Sequence, residues 1–287
     1  MRSTFVLATA AALVVAASAV SAALPAHTPG PPPTPVPRAV LQQVNFVEKC
    51  AFSHRAPDDP IVFPRQPGMS HNHTFVGNVS TNAYSTFGSL VSSATTCKRA
   101  DDTAAYWAPT LYQGTTPVLP LDATVYYRRA TLAPVRPFPN GLKMIAGNSM
   151  AVAPQDLRIT YWNCGVTGGV KPQSTVPTCP AGRGTQLRLH VRFPSCWDEH
   201  SLDSPDHKSH MAYAVAGRCP VSHPVSVPAI ELIYRYATQG GSGFSLASGG
   251  QLSAHADFFN GWHPAALRTL VSGCLDALVH CGQQGPR

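Results

Sequence analysis

Twelve histidines carry the clearest chemical signal in this 287-residue sequence, because several of them lie in short polar motifs. Ser70-His71-Asn72-His73 places two imidazoles two residues apart, and on an extended segment both would project to the same side. Asp206-His207-Lys208-Ser209-His210 places two more three residues apart, and His255-Ala256-Asp257 pairs an imidazole with a carboxylate. Neutral imidazoles bind zinc or copper, and histidine also acts as an acid or base near neutral pH.

The three motifs together predict one shared polar site. Stretches this polar are poor choices for an apolar core, because each buried polar group needs a partner. Side chains that face one another across a cleft can satisfy each other or a metal ion. The sequence therefore predicts that the catalytic residues are His71, His73, His207, His210, His255 and Asp257. His71 and His73 are the predicted ligands of a divalent metal ion, the one cofactor that the sequence suggests.

Each motif also has a structural explanation, which stays open at this point. His207 and His210 could belong to a solvated loop, and His255 could simply bond Asp257 or a backbone group. Aromatic residues near the motifs could stack on sugar rings or could pack in the core. On the first interpretation the predicted substrate-binding residues are Trp107, Tyr106, Trp197, Trp262 and Arg192.

Other catalytic classes find no support in the sequence. A G-x-S-x-G nucleophile motif is missing, and so are the P-loop and Rossmann glycine patterns that bind nucleotides. The net charge is +7, but the basic residues are scattered rather than clustered, so we expect no nucleic-acid partner. An extracellular polysaccharide is the predicted partner, and the sequence leaves the oligomeric state open.

The amino terminus predicts export. Residues 1–22 resemble a secretory signal peptide, with Arg2 before an apolar run and small residues at a cleavage site. Residues 23–39 form a proline-rich leader that we expect to be disordered, and residues 40–281 form one predicted globular domain. The mature protein is therefore predicted to be secreted, with no membrane span after cleavage of the signal peptide.

The eight cysteines agree with export. An even number in an exported chain predicts four disulfides, with Cys164–Cys179 and Cys196–Cys219 as the expected local pairs. Cys274 and Cys281 lie beyond disulfide reach if a continuous helix joins them. Either that helix stops between them or each has another partner.

The predicted fold is mainly β. Segments 124–129, 157–162, 186–193 and 230–236 read as strands, and the third alternates apolar and polar residues most cleanly. One helix is predicted near residues 265–279, with Pro264 in its first turn. We therefore expect a jelly-roll-like β-sandwich with long disulfide-stapled loops and one C-terminal helix.

Seven longer motifs run in order between Cys50 and Trp262: Asp59-Pro60-Ile61-Val62, Pro67-Gly68-Met69-Ser70-His71-Asn72-His73, Ala105-Tyr106-Trp107-Ala108-Pro109-Thr110-Leu111-Tyr112, Phe193-Pro194-Ser195-Cys196-Trp197-Asp198, Asp206-His207-Lys208-Ser209-His210-Met211-Ala212-Tyr213, Cys219-Pro220-Val221-Ser222-His223-Pro224 and His255-Ala256-Asp257-Phe258-Phe259-Asn260-Gly261-Trp262. Together they resemble the family called domain of unknown function nineteen-ninety-six, whose members are exported proteins of fungi and actinobacteria. The resemblance implies export but no particular activity.

Three positions depart from the pattern of that family. Members usually have Asp where this chain has Thr74, Gly where it has Glu199, and Asp where it has His263. The loss of a carboxylate at position 74 puts in doubt any role of this position as a metal ligand or base.

Three functions compete on this sequence. The favoured one is an exported polysaccharide-degrading hydrolase or lyase, in which a His or Asp acts as acid or base. The alternative is a non-catalytic module that binds glycan or metal. The third is a structural protein whose histidines only satisfy buried hydrogen bonds.

Overall fold

The computed structural model describes residues 41, 43–165, 169–182 and 184–286, which all fall in one compact unit. The predicted signal peptide and proline-rich leader lie outside the described residues. Within the part of the chain that is described, no helix has the length and apolar character needed to cross a membrane.

Strands dominate the described chain, as the sequence predicts. They are β1 (Asn45–Cys50), β2 (Phe52–Ala56), β3 (His73–Gly77), β4 (Ala105–Pro109), β5 (Leu111–Gln113), β6 (Thr116–Val118), β7 (Pro120–Arg128), β8 (Lys143–Gly147), β9 (Thr160–Asn163), β10 (Arg188–Arg192), β11 (Cys196–Trp197), β12 (Met211–Ala212), β13 (Val225–Ser226), β14 (Ala229–Tyr236), β15 (Phe244–Leu246), β16 (His255–Phe259) and β17 (His280–Gly282). The helices are α1 (Phe87–Val91) and α2 (Pro264–Leu270), the second continued by a π-helical segment, Val271–Asp276.

Two larger sheets form a sandwich. One has six strands in the order β17-β1-β7-β14-β10-β9, and the other has five in the order β2-β3-β4-β16-β8. Their inner faces share one large core, in which the Tyr106 hydroxyl of the five-stranded sheet bonds the Tyr127 hydroxyl of the other. The mainly β prediction is thus confirmed, and two three-stranded sheets, β12-β11-β13 and β15-β5-β6, complete the fold.

The outer face of the five-stranded sheet carries a second, smaller apolar cluster. Phe75, Trp107 and Phe259 project there because they alternate with the inward-facing residues of β3, β4 and β16. The loop after β2 and the helix α1 cover this cluster through Ile61 and Leu90, both fully buried. This outer layer buries the second face of the sheet, and its side chains form the base of the candidate site.

The predicted strands all form, with boundaries that differ by one to four residues. The segment 186–193 becomes β10, and its apolar positions Leu187, Leu189 and Val191 are fully buried as the alternation predicts. The segment predicted from Leu157 starts only at Thr160, because Asp156 first closes a turn. Its carbonyl accepts from the Ile159 N–H and its side chain accepts from the Arg158 N–H.

Four disulfides link all eight cysteines, as predicted. Cys164–Cys179 and Cys196–Cys219 form as expected, and the other two are Cys50–Cys97 and Cys274–Cys281. The last pair closes because the helical segment ends at Asp276, before it reaches Cys281. Pro264 occupies the first turn of α2, also as predicted.

Candidate metal centre

Two histidines begin the two strands that flank β4, at the same end of the five-stranded sheet. His73 is the first residue of β3 and pairs with Pro109 of β4, while His255 is the first residue of β16. The register of β16 against β4 pairs Asp257 with Trp107, so His255 falls beside Pro109 as well. Both imidazoles therefore lie in one row on the outer face of the sheet.

His71 completes a trio of imidazoles from the loop before β3. Its ring lies 4.2 Å from the His73 ring and 5.1 Å from the His255 ring, measured between centroids. Thr110 holds this loop in place, because its N–H and its hydroxyl donate to the carbonyl and the side chain of Asn72. One ring nitrogen of each histidine lies within 4.8 Å of the other two.

Backbone carbonyls select which nitrogen of the two deeper rings faces the centre. His73 Nδ1 lies 3.0 Å from the Asp58 carbonyl, and His255 Nδ1 lies 2.9 Å from the Ser253 carbonyl. A carbonyl only accepts, so each Nδ1 carries the proton and each Nε2 presents a lone pair. Metal-binding histidines in proteins are oriented by this same arrangement.

Burial keeps the imidazoles neutral. It lowers the pKa of His73 well below 6.5 and lowers the pKa of His255 to about 3. The pKa of the half-buried His71 is lowered for the same reason. At neutral pH the trio therefore offers three uncharged nitrogen ligands rather than three repelling cations.

Two buried carboxyls adjoin the imidazoles. Asp257 Oδ2 lies 4.0 Å from His255 Nε2, and Asp59, Asp257 and His73 place one ligand atom each within 4.8 Å of one another. Burial raises the pKa of Asp257 well above 3.8, and burial likewise raises the pKa of Asp59. Asp59 already accepts from the N–H groups of Ile61 and Val62, whereas Asp257 Oδ2 has no such partner among the described residues.

Unpartnered buried atoms concentrate at this place. His71 Nε2, His73 Nε2 and Asp257 Oδ2 are all buried without a hydrogen-bond partner in the described chain. Each such atom costs about 1–3 kcal/mol, so a cluster of them at one place points to a ligand-binding role. Imidazole nitrogens are ligands that zinc and copper prefer, and here one nitrogen of each ring lies within 4.8 Å of the other two, so the donor set suits a divalent transition-metal ion.

Gly147 allows the backbone to pack closely behind His255. It pairs with His255 across β8 and β16 at a positive φ of 84°. A Cβ at this position would lie 2.5 Å from the Ala254 carbonyl oxygen and 2.8 Å from the His255 Cα. Only glycine therefore fits here without moving the strand that carries His255.

The other predicted histidines lie on the rim. The loop 203–210 reaches the site through Lys208, whose ammonium donates to the Gly147 carbonyl at 2.6 Å. His207 bonds Asp203 at 2.8 Å and does not belong to the trio. His210 is buried with both ring nitrogens bonded, to Ser204 Oγ and to the Lys143 carbonyl, which makes it a structural residue.

The predicted substrate-binding aromatic residues lie in the interior. Tyr106, Trp107 and Trp262 are fully buried, and Trp197 is buried with its indole nitrogen bonded to the Ser201 carbonyl. Their rings face other side chains, which argues against sugar stacking at these four positions. Trp107 nevertheless lies in the wall of the site, with its ring 6.4 Å from the His73 ring. Arg192 lies elsewhere, on the outer face of the six-stranded sheet.

The comparison with protein families accounts for most of this chain. The family described as a domain of unknown function (DUF1996) matches residues 59–262, a span that includes the imidazole trio and Asp257. The chain belongs to the DUF1996 family. Searches of the curated proteins and of the solved structures found no match.

The three departures from the DUF1996 pattern now have local explanations. Thr74 alternates with His73 and points to the inner face, where it bonds Thr110 at 2.9 Å, so a carboxylate at this position would face away from the trio. Glu199 has a φ of 73°, a conformation that favours glycine. His263 is the N-cap of α2 and makes no side-chain capping bond, a place where Asp would make one.

Sequence reasoning missed three contributors to the site. Asp59 and Lys208 belong to motifs that the chain shares with its family, so the motifs pointed to these two positions. An Asp or a Lys by itself does not indicate a site. Gly147 had no such signal, because its role depends on the strand that packs against it.

Proposed function

We propose that this protein is an exported, metal-dependent hydrolase or lyase that acts on polysaccharide. His71, His73 and His255 would hold one divalent transition-metal ion through their Nε2 atoms. The observation that carries the proposal is the orientation of the two buried rings. Backbone carbonyls occupy Nδ1 of His73 and of His255, which leaves their Nε2 lone pairs for a ligand. Among the described residues, His73 Nε2 and His71 Nε2 are buried without a hydrogen-bond partner.

The donor set suits a catalytic more than a structural site. Structural zinc sites close all four positions with protein ligands, whereas catalytic sites keep three ligands and one open position. Three imidazoles match the second pattern, and His71 gives the centre a partly exposed side. When bound, the metal ion would polarise a substrate oxygen or lower the pKa of a bound water.

Asp257 is the residue to which we assign proton transfer. Its Oδ2 is unpartnered among the described residues and lies 4.0 Å from His255 Nε2, on the same face of the sheet. A cation held by the imidazoles would favour the ionised form of this buried carboxyl, which burial alone disfavours. Lys208, which anchors the rim loop to Gly147, would hold the entrance in place.

Export is supported from two sides. The four disulfides are typical of oxidising compartments, and the first 22 residues resemble a signal peptide. An extracellular location exposes the protein to polysaccharide, which is the substrate class that we propose.

Metal analysis of protein purified without a histidine tag tests the centre. We expect about one zinc or copper ion per chain, lost in His73→Ala and in His255→Ala. His263→Ala is the matched control, because this histidine caps α2 without a side-chain hydrogen bond and should leave the metal content unchanged. Metal-free wild-type protein that also fails to bind added zinc or copper would refute the centre.

Product release from a polysaccharide panel tests the activity. A hydrolase would release reducing ends only, whereas a lyase would also release an unsaturated product that absorbs ultraviolet light. Chelation should abolish either signal, and the metal should restore it. A protein that binds the metal but releases no product from any polysaccharide would instead be the non-catalytic metal-binding module.

A further inference from the structure

A buried carboxylate anchors several cations on the outer face of the six-stranded sheet, apart from the metal centre. Glu231 of β14 is 7% exposed. Its two oxygens accept from Arg192 Nε at 3.1 Å and from an Arg128 terminal nitrogen at 3.2 Å. His190 and the Tyr161 hydroxyl each lie 3.2 Å from the same carboxylate. The carboxylate therefore fixes two guanidinium groups in one orientation.

Both arginines keep donors to spare. Within the described chain Arg128 uses one nitrogen, for Glu231, and Arg192 uses two, for Glu231 and the Tyr161 hydroxyl. Their side chains are 32% and 42% exposed, so the remaining N–H groups reach solvent. A guanidinium with a fixed orientation and free N–H groups is a preorganised receptor for carboxylate or sulfate oxygens.

These groups line a cavity rather than a flat surface. A cavity of about 580 Å³ is bordered by Arg128, Arg158, Arg192, Glu231 and Tyr213, which we call the arginine groove. Three guanidinium groups meet only two carboxylates here, Glu231 and the Asp156 that pairs with Arg158. The groove therefore has an unbalanced positive charge.

A second cavity extends the groove toward the metal centre. It measures about 280 Å³, shares Tyr213 with the arginine groove, and is also lined by Gly147 and Lys208. Gly147 pairs with His255, and Lys208 bonds the Gly147 carbonyl. The two cavities follow the open side of the sandwich, where the edge strands β8 and β9 lie. Cations thus line both cavities, Arg128 and Arg192 in the arginine groove and Lys208 in the second cavity.

We propose that the arginine groove binds an acidic polysaccharide, with its carboxylate or sulfate groups on Arg128 and Arg192 and its chain directed past Tyr213 toward Lys208. A polymer with repeating negative charge matches cations spaced along a path, whereas a small anion would occupy only one end. The groove is a binding site in its own right. The further identification of the bound polymer as the substrate rests on the proposed function.

The aromatic groups of the groove favour a polysaccharide over single-stranded nucleic acid. Nucleic-acid grooves offer free aromatic faces on which bases stack. Here the Tyr161 ring lies between His190, stacked at 4.2 Å, and Arg192, at 5.1 Å, while Arg128 covers Tyr126 at 4.3 Å. The Tyr161 and Tyr126 rings are thus covered by the protein's own side chains, which leaves Tyr213, 38% exposed, as the one tyrosine of the described lining with an open face.

Isothermal titration calorimetry of the full chain tests the groove with three probes: polygalacturonate, a chondroitin sulfate and neutral dextran. We expect one of the two acidic polymers to bind and dextran not to bind, and the preference between the two separates carboxylate from sulfate recognition. Arg128→Gln and Arg192→Gln should each weaken binding at least about tenfold, since each removes a charge-assisted contact. Arg136→Gln, in an exposed ion pair with Glu199, is the matched control and should bind as the wild type does.

A third substitution tests the groove at an exposed position, where it should not disturb the fold. Arg158 is 88% exposed on its side chain, so Arg158→Gln should keep the fold and still weaken binding several-fold. No binding of either acidic polymer by folded wild-type protein would overturn the groove. Equal or tighter binding of single-stranded DNA would overturn the polysaccharide assignment.

The proposed arginine groove and the proposed metal centre can be refuted independently of each other. Chelated wild type and His255→Ala should bind the acidic polymer as the untreated protein does, because the arginine contacts need no metal. Binding without product release would refute the proposed activity and leave the groove standing. Product release that is unaffected by Arg128→Gln and Arg192→Gln would show that the acidic polymer is not the substrate.

Discussion

His73 and His255 stand in one row of the five-stranded sheet, two strands apart, with Pro109 of β4 between them. Their ring centroids lie 6.0 Å apart although the residues are far apart in the chain. Strand register alone creates this proximity, because a slip of one residue in β3 or in β16 would turn one imidazole to the inner face. The candidate metal centre therefore depends on the contacts that keep these strands in register.

Gly147→Ala should damage both the fold and the metal centre. The new Cβ would meet the Ala254 carbonyl oxygen at 2.5 Å, and alanine disfavours the φ of 84°. We expect the free energy of unfolding to fall by more than about 2 kcal/mol, measured by urea denaturation, and metal content to fall with it.

Gly243→Ala is the matched control for that variant. Gly243 has a φ of 79° but no heavy atom within 4 Å of the added Cβ, so only the backbone cost of about 1 kcal/mol remains. Metal content should not change. If the two variants lost equal stability, close packing behind His255 would not matter.

Much of the fold could be predicted from local sequence patterns. The alternation along β10 predicted its buried apolar positions, and short sequence separation predicted Cys164–Cys179 and Cys196–Cys219. The pairing of Cys50 with Cys97 depends instead on how two distant segments meet, which no local pattern encodes.

Part of the candidate site could also be predicted from local sequence patterns. Spacing predicted that His71 and His73 act together, and chemical density suggested that His255 joins them. His210 stands in a similar polar motif, but after folding its two ring nitrogens bond the Ser204 hydroxyl and the Lys143 carbonyl. Tyr106 and Trp262 stand in polar motifs, yet their rings are core residues, because the sequence does not reveal which face of the sheet is covered.

His263→Asp should stabilise the protein. His263 has the extended backbone of an N-cap but makes no capping bond, and no acidic residue stands in the first turn of α2. Aspartate would accept from a free N–H of that turn and would complement the helix dipole. We expect a gain of about 0.5–1 kcal/mol by thermal denaturation. His263→Ala, which cannot cap, should show no gain, and an equal gain in both variants would exclude capping as the cause.

The disulfides should contribute unequally. Cys50–Cys97 spans 47 residues of chain and Cys274–Cys281 spans 7. Loop-closure entropy grows with the logarithm of loop length. Removing the disulfide that closes the longer loop should therefore lower the free energy of unfolding by about 1.5 kcal/mol more than removing the other. Urea denaturation of the two paired Cys→Ala variants measures this difference. A larger loss from the C-terminal pair would mean that native-state packing around the π-helical segment outweighs the unfolded-state effect.

Glu231 should make stability depend on pH in the acid range. Burial raises the pKa of Glu231, but the hydrogen bond with His190 and the charges of Arg192 and Arg128 outweigh it and lower the pKa from 4.5 to about 2. A lowered folded-state pKa gives stabilisation that is complete above about pH 4.5 and is lost as the pH falls toward 2. The shift corresponds to roughly 3 kcal/mol.

Glu231→Gln should therefore be markedly less stable than the wild type at pH 7, and the difference in the free energy of unfolding should narrow steadily in urea denaturations from pH 5 to pH 2. Asp122→Asn, which breaks the more exposed ion pair with Arg235 on the same sheet face, should cost less than about 1 kcal/mol at pH 7. A gap between wild type and Glu231→Gln that stays constant with pH would show that the carboxylate is not held ionised by its arginines, and the anchored guanidinium groups of the arginine groove would lose their physical basis.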